Sequence, residues 1–318
     1  MERIDLTQFS QQVASVRQAI SDVVVGQEAA VDLLLAAILA DGHVLIEGVP
    51  GVAKTLLARL MAKLVDASFG RLQFTPDLMP SDVLGTSVFD VKTQDFKFHA
   101  GPVFRQMVLV DEVNRAPAKT QAALFEVMEE RQATVDGVTH PMDPLFTIIA
   151  TQNPVEQEGT YRLPEAQLDR FLVKITMGYP SVDEEMEILR RHQQHDLRCL
   201  DGISPLITRE ELLHMRALLR QVVVDEVVLR FICRITEQTR RSRMIYLGAS
   251  PRAAVALLQV AKAAALLAGR DFVTPDDVKT VAPAVLAHRI QLTAEAEMDG
   301  MSVDRLVARL LDAAVVDN

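Results

Sequence analysis

A chain of 318 residues, 49% hydrophobic and 24% charged, has the composition of an ordinary globular protein, and its length suggests two domains. Its 14 glycines and 14 prolines exclude collagen-like and low-complexity classes. With 33 Lys plus Arg against 43 Asp plus Glu, the net charge of −10 opposes the basic footprint of a dedicated nucleic-acid binder, though it leaves room for a small basic patch or pore.

The N-terminal stretch MERIDLTQFSQQ is polar and has no signal-peptide hydrophobic segment. Residues 9–20 and 27–41 read as helices, the second stopping at Gly42. His43–Glu47 is a short apolar strand that runs into a glycine-containing loop, Gly48–Thr55, and a helix follows to about Ser68. Strand, glycine loop and helix open a parallel α/β unit. Arg71–Thr75 is a second strand. Residues 76–106 read as a hairpin insertion, with β-like pieces at Thr86–Val91 and Phe96–His99. Met107–Val110 is a continuous apolar run, as expected of a strand buried on both faces. A helix over Ala118–Arg131 precedes a second hairpin at 132–146, centred on Asp136-Gly137. Phe146–Ala150 and Phe171–Ile175 are two more buried strands. After Tyr179-Pro180 no convincing strand remains. Residues 182–197, 208–221, 226–241, 252–268, 275–288 and 302–313 carry helical periodicity. The expected organisation is an α/β core over 1–180 and a helical second domain over 181–318. No apolar run approaches the ~18 residues needed to cross a bilayer, so a cytoplasmic protein is expected. The two cysteines, Cys199 and Cys233, are too few for a disulfide scaffold or zinc ribbon and read as reduced thiols.

The chemistry gathers at the first strand. Gly48, Val49, Pro50, Gly51, Val52, Ala53, Lys54, Thr55 and Leu56 follow the phosphate-binding pattern G-x-x-x-x-G-K-[ST], with alanine in place of the second glycine. Such a loop aims backbone N–H groups at phosphate oxygens and hands them to a helix N-terminus. Ala53 fits if its φ is negative. Lys54 is expected on the β- and γ-phosphates of ATP, and Thr55 on Mg²⁺. Two adjacent acids after a buried strand are costly unless they hold a cation or polarise water. Asp111 is therefore assigned to the metal and Glu112 to activation of the attacking water. Val222–Glu226 repeats the same local pattern between two helices, where it reads as an apolar linker and an acidic helix start. Asn153, after the strand Phe146–Ala150, can hydrogen-bond the water or γ-phosphate; an Asn turn before Pro154 is the plainer alternative. His192 and His195 lie three residues apart on a helix, but no third ligand has suitable spacing.

Taken together, Glu47–Thr55, Gln73–Asp82, Gly101–Phe104, Asp111–Pro117, Ala150–Pro154 and Tyr161–Phe171 resemble the MoxR family of AAA+ ATPases over roughly residues 20–290. The resemblance implies a P-loop NTPase core of three αβα layers around a parallel sheet, followed by an all-helical lid, and a ring with ATP at subunit interfaces. The ring is expected to be a hexamer. Ala53 looks like the family's own variant. Arg170 matches the arginine finger that reaches a neighbour's γ-phosphate. Arg252, next to Pro251 at a helix start, matches the second-sensor arginine, oriented toward the nucleotide at the domain junction. Val24–Gln27, with Val25 and Gly26, resembles the segment that packs the adenine. The two hairpins resemble the helix-2 insert and the pre-sensor-1 hairpin and would project toward a ring pore. The family's role is chaperone-like maturation of protein complexes or metal-cofactor insertion, often with a von Willebrand factor A domain partner. A magnesium-chelatase-like subunit, a nucleic-acid-directed motor and a nucleotide-dependent scaffold are the competing readings.

Overall fold

The computed structural model describes residues 4–153, 161, 163–194, 200 and 202–314. Two helices, α1 (Thr7–Ser21) and α2 (Glu28–Leu39), precede β1 (His43–Gly48), α3 (Lys54–Leu64), β2 (Phe69–Gln73) and α4 (Pro80–Leu84). A hairpin of β3 (Gly85–Asp90) and β4 (Asp95–Ala100) leads through a 3-10 turn, Pro102–Phe104, to β5 (Met107–Asp111) and α5 (Ala118–Glu130). A second hairpin, β6 (Gln132–Val135) with β7 (Val138–Pro141), leads to β8 (Thr147–Gln152), the single turn α6 (Glu165–Leu168) and β9 (Phe171–Met177). The remainder comprises α7 (Val182–Gln194), α8 (Arg209–Gln221), α9 (Glu226–Arg241), β10 (Ile245–Leu247), α10 (Pro251–Leu267), α11 (Pro275–Leu286), β11 (Gln291–Leu292), α12 (Ala294–Met298) and α13 (Val303–Ala313).

Five strands form one parallel sheet in the order β2-β5-β8-β1-β9. Strand alternation divides its side chains between two layers. Val44, Ile46, Leu109 and Ile149 pack on the face covered by α1, α2 and α3. Leu45, Val108, Val110 and Ile148 pack on the other face, with Val83 of α4 and Leu124 and Phe125 of α5. Every residue of β5 is buried, which explains its unbroken apolar sequence. The result is a three-layer αβα core around a parallel sheet, followed by a mainly helical region, as the resemblance implied.

The lid helices are amphipathic and well capped. Val228, Phe231, Ile232 and Ile235 of α9 form a buried stripe at helical spacing. Thr208 with Glu211 caps α8, and Thr274 with Asp277 caps α11, each as a reciprocal capping box. The Asp225 carboxylate accepts from the Val227 N–H at 2.9 Å and caps α9, so the second apolar-acidic run is a helix start. The lid's apolar residues are continuous with the α2 layer, against which α10 packs.

Several expectations need correction. The helix after the glycine loop ends at Leu64, because Asp66 turns to φ +50° and cannot continue it. The second strand is Phe69–Gln73, two residues earlier than Arg71–Thr75. The segment 76–106 holds α4 and the 3-10 turn as well as its hairpin. Strands do occur after residue 180: β10 and β11 pair antiparallel. With three and two residues they are too short for a period-two pattern to register in sequence. His195 and Cys199 lie outside the described residues. Cys233 is a free, exposed thiol.

The hairpins meet through an aromatic contact. The Phe98 ring of β4 stacks on His140 of β7 with centroids 4.0 Å apart, and Phe104 stands edge-on to both. Near the turn of the first hairpin, exposed Phe89 and Phe96 pair edge to face at 5.3 Å.

Candidate functional site

The loop Gly48–Thr55 leaves the C-terminal end of β1 and enters α3 at Lys54. Gly51 has φ +91°, and no atom lies within 4 Å of where a Cβ would stand. Ala53 is the N-cap of α3 with φ +65° and ψ +22°, a left-handed conformation. The condition set for alanine there, a negative φ, is not met. The chain must reverse sharply between a buried strand and a helix, and the second-glycine position takes up that reversal even when it carries a methyl group. For a non-glycine residue this costs on the order of 1–2 kcal/mol. The Lys54 ammonium donates to the carbonyls of Gly48 and Val49, the latter at 3.3 Å, so its charge is folded onto its own loop. Val52 is buried, which pins the middle of the loop; Thr55 and Leu56 are half-buried in the first turn of α3. The first N–H groups of any helix lack intrahelical acceptors and suit an anion.

Asp111 ends β5, and Glu112 follows with φ +55°, also left-handed. Backbone strain of this kind collects at functional sites. Asp111 is buried; it accepts from Arg71 Nε at 2.7 Å and from the Thr151 hydroxyl at 3.2 Å. Thr151 Oγ1 also accepts from the Glu112 N–H at 3.0 Å, and its carbonyl accepts from the Val113 N–H at 3.0 Å. One threonine thus fixes both acids. The Glu112 carboxylate accepts from Gln73 Nε2 at 2.8 Å and pairs with Arg115 at 3.2 Å. Asn153 is buried just past the end of β8. Strand order puts β8 between β5 and β1, with Val110 opposite Ala150 and Glu47 opposite Gln152. Neighbouring strands lie about 4.8 Å apart, so Asp111, Asn153 and the glycine loop emerge side by side on one edge of the sheet.

Val25 and Gly26 reach the same edge. Gln27 Nε2 donates to the Gly178 carbonyl at 3.4 Å, and Gly178 follows Met177, the partner of Gly48. Gly26 has φ +73°, and a Cβ there would collide with the Glu184 carboxylate of α7. A left-handed turn under a close neighbour requires glycine at this position.

The two arginines lie elsewhere. Arg170 immediately precedes β9, where Phe171 pairs with His43, whereas the glycine loop starts beyond the Gly48–Met177 pair, about 20 Å further along the strands. Arg252, in the first turn of α10, lies beside Arg170: both pair with Glu129, each at 2.7 Å. Arg252 is thus not turned toward its own chain's loop. The packing of α10 against α2, and the Ser250–Asp169 hydrogen bond of 3.0 Å, seat that helix start at the opposite edge. There Arg289, buried, pairs with Asp169 at 2.7 Å and donates to the carbonyls of Asp169, Phe171 and Leu172, on both sides of Arg170. Two buried histidines share this edge. His43 is pulled down to about 3, by burial first and by the Arg131 charge next. His288 is held well below the usual histidine value, by burial and then by Arg289.

The donor set at the loop edge fits a magnesium-bound nucleoside triphosphate. Open space stands over Gly51, Lys54 supplies a cation, Thr55 a hydroxyl, and Asp111 a buried carboxylate anchored by neighbours. Residues missed in the sequence reading are Thr151, Arg71 and Gln73, which hold the acids, and Glu129, which gathers the arginines. Only Thr151 carried a local signal, as a hydroxyl directly after a buried strand next to the acid-bearing one. Among the described residues, no group of three or more His, Cys, Asp or Glu forms a metal cluster, and no helix is long and apolar enough to cross a membrane.

Sheet order, glycine loop and paired acids define a nucleotide-binding core of the AAA type. Residues 43–173 match the ATPase family associated with various cellular activities (AAA), and residues 237–310 match the AAA lid domain. The chain is 46% identical to YeaC of Bacillus subtilis, over 93% of this chain and 92% of that one. It is 41% identical to the chaperone MoxR1 of Mycobacterium tuberculosis, over 92% and 79% of the two chains. The crystal structure of a Cytophaga hutchinsonii protein, proposed there as an ATPase, superposes with a TM-score of 0.90 at 40% identity, covering 98% of this chain and 97% of the other. The chain belongs to the MoxR family of AAA+ ATPases.

Proposed function

We propose that this protein hydrolyses ATP in a ring of like subunits, expected to be a hexamer, and uses the energy for chaperone-like remodelling of protein complexes. In this reading the core spans residues 1–180, and a linker helix and the lid span 181–318. The observation that carries the reading is the meeting of Lys54, Asp111, Glu112 and Asn153 on one sheet edge, from the ends of three strands, β1, β5 and β8, and the loops that follow them. Lys54 leaves its loop carbonyls to bind the substrate's β- and γ-phosphates. Thr55 and Asp111 are the residues that would hold Mg²⁺, which when bound neutralises phosphate charge. Glu112 accepts the proton of the attacking water, and Asn153 orients that water. In the resting arrangement Gln73 and Arg115 occupy the Glu112 carboxylate, so these contacts yield when the water is engaged. Arg170 acts on the nucleotide of the adjacent subunit, in keeping with its distance from its own loop.

The chaperone role is supported by the likeness to MoxR1. A client complex and a von Willebrand factor A domain partner are the interactions to seek, and metal-cofactor insertion is one outcome such a complex would serve. Native protein and Glu112→Gln are compared for turnover and for ATP affinity. We expect turnover to fall by roughly 10²–10⁴-fold with binding retained, the usual contribution of a general base. Equal rates overturn the catalytic assignment. The Glu112→Gln form with ATP then serves as the trap for partners, and stimulation of the native enzyme by DNA at low salt would favour the nucleic-acid reading instead.

A further inference from the structure

Glu129 lies in the last turn of α5, within 41 residues of Arg170 but 123 residues from Arg252, and its two oxygens are divided between them. Oε2 pairs with Arg170 and Oε1 with Arg252, each at 2.7 Å. One carboxylate therefore holds two guanidinium groups side by side and neutralises one of their two charges. The Arg170 guanidinium carbon lies 6.0 Å over the Phe125 ring, and its buried Nε has no hydrogen-bond partner among the described residues. Arg252 is 62% exposed. Both border an open cavity of about 450 Å³, with Arg131 and Arg289 also in its lining. This face lies about 20 Å along the strands from the chain's own glycine loop, so nothing the loop binds can reach it.

We propose that Glu129 is the positioning residue of a two-arginine anion receptor that is completed only by a second copy of this chain. The anion is the terminal phosphate of the nucleotide held in the second copy's loop. Without Glu129, two like charges at this spacing repel, and the long side chains separate. With it, Arg170 and Arg252 are presented together and keep a net positive charge toward the incoming phosphate. The proposal rests on the reading that Arg170 acts on a neighbour.

The test uses mixed rings. Full-length native subunits are diluted into an excess of Lys54→Ala subunits, which cannot hold the triphosphate but still present the arginine face. Turnover per native subunit is compared with dilution into Lys54→Ala/Glu129→Gln, Lys54→Ala/Glu129→Asp and Lys54→Ala/Arg170→Ala. Gln keeps one acceptor but turns an N–H₂ group on the other arginine. We expect the Glu129→Gln donors to lower the neighbours' kcat by roughly ten- to a hundredfold with KM little changed, the scale of a misplaced catalytic contact. Asp donors should recover most of the loss. In Glu129→Gln with Lys54 intact, ATP affinity at the chain's own loop should match native protein, which a general folding defect would not allow. If Arg170→Ala donors stop the neighbours while Glu129→Gln donors behave like simple Lys54→Ala donors, Glu129 has no positioning role. If Arg170→Ala donors also support full turnover, the trans-acting reading fails and the receptor with it.

Discussion

At the C-terminal edge of the sheet, the polar groups are held by near neighbours: a loop on its own lysine, and two acids on a threonine one strand away. At the N-terminal edge the holding groups come from the lid, through Arg289 on Asp169, Ser250 on Asp169 and Arg252 on Glu129. Both edges hold left-handed non-glycine residues, Ala53 and Glu112 at the first and Asp41 and Arg131 at the second. The second buries charge and imidazole. A site made from adjacent elements can keep its geometry whatever the lid does; a site made by the lid cannot. The glycine loop and paired acids are thus built into the core, while the placement of Arg170 and Arg252 answers to the lid.

That contrast can be broken in three places. Arg289→Met should be the most damaging to stability. It removes the cation paired with Asp169 and the donor to four carbonyls, those of Asp169, Phe171, Leu172 and Val285, and breaking a buried pair costs about 3–5 kcal/mol. Urea unfolding measures the loss; the Arg71–Asp111 pair, whose arginine is exposed and whose carboxylate keeps the Thr151 hydroxyl, should cost less when cut as Arg71→Met. Equal losses would erase the distinction between the edges. Acid should act next. His43 Nδ1 accepts from the Ile148 N–H at 2.9 Å while Nε2 donates to the Met128 carbonyl at 3.2 Å, so a second ring proton would face a donor. His288 donates Nε2–H to the Phe171 carbonyl at 2.9 Å. Both values are depressed in the folded chain, so their stabilising contribution is complete above pH 6.5 and is withdrawn as pH falls, for His43 down to about 3. By pH 5 His43 should have removed about 2 kcal/mol, at about 1.4 kcal/mol per pH unit, and His288 acts in the same direction. A urea midpoint that stays flat from pH 6.5 to 5 would contradict this. The smallest effect sharpens the other edge: Ala53→Gly should raise stability by about 1 kcal/mol by relieving a left-handed alanine, with ATP affinity preserved. A destabilised variant would mean that the methyl group earns its place by packing.

The sequence made the C-terminal edge legible because its signals are contiguous. A strand, a glycine loop and a lysine lie within thirteen residues, and the acids directly follow a run of four apolar ones. The helical lid was equally visible in its periodicity and caps. Glu129 was invisible: on a helix it is one acid among three in Glu126, Glu129 and Glu130, and its partners are fixed only once α10 has docked. The same holds for Arg252, whose helix start was recognisable but whose direction depends on packing against α2. Ala53 failed for the opposite reason. Its place in the glycine loop was plain, but the backbone demand of the turn outweighs the preference of alanine.

The stack of Phe98 on His140, buttressed by Phe104, ties the two inserted hairpins to each other as well as to the core. A force taken up near Phe89 and Phe96 is therefore shared with the neck of the second hairpin, which springs directly from the end of α5. Since that same helix carries Glu129 in its final turn, a load on the hairpins and the hold on Arg170 are transmitted through a single rod.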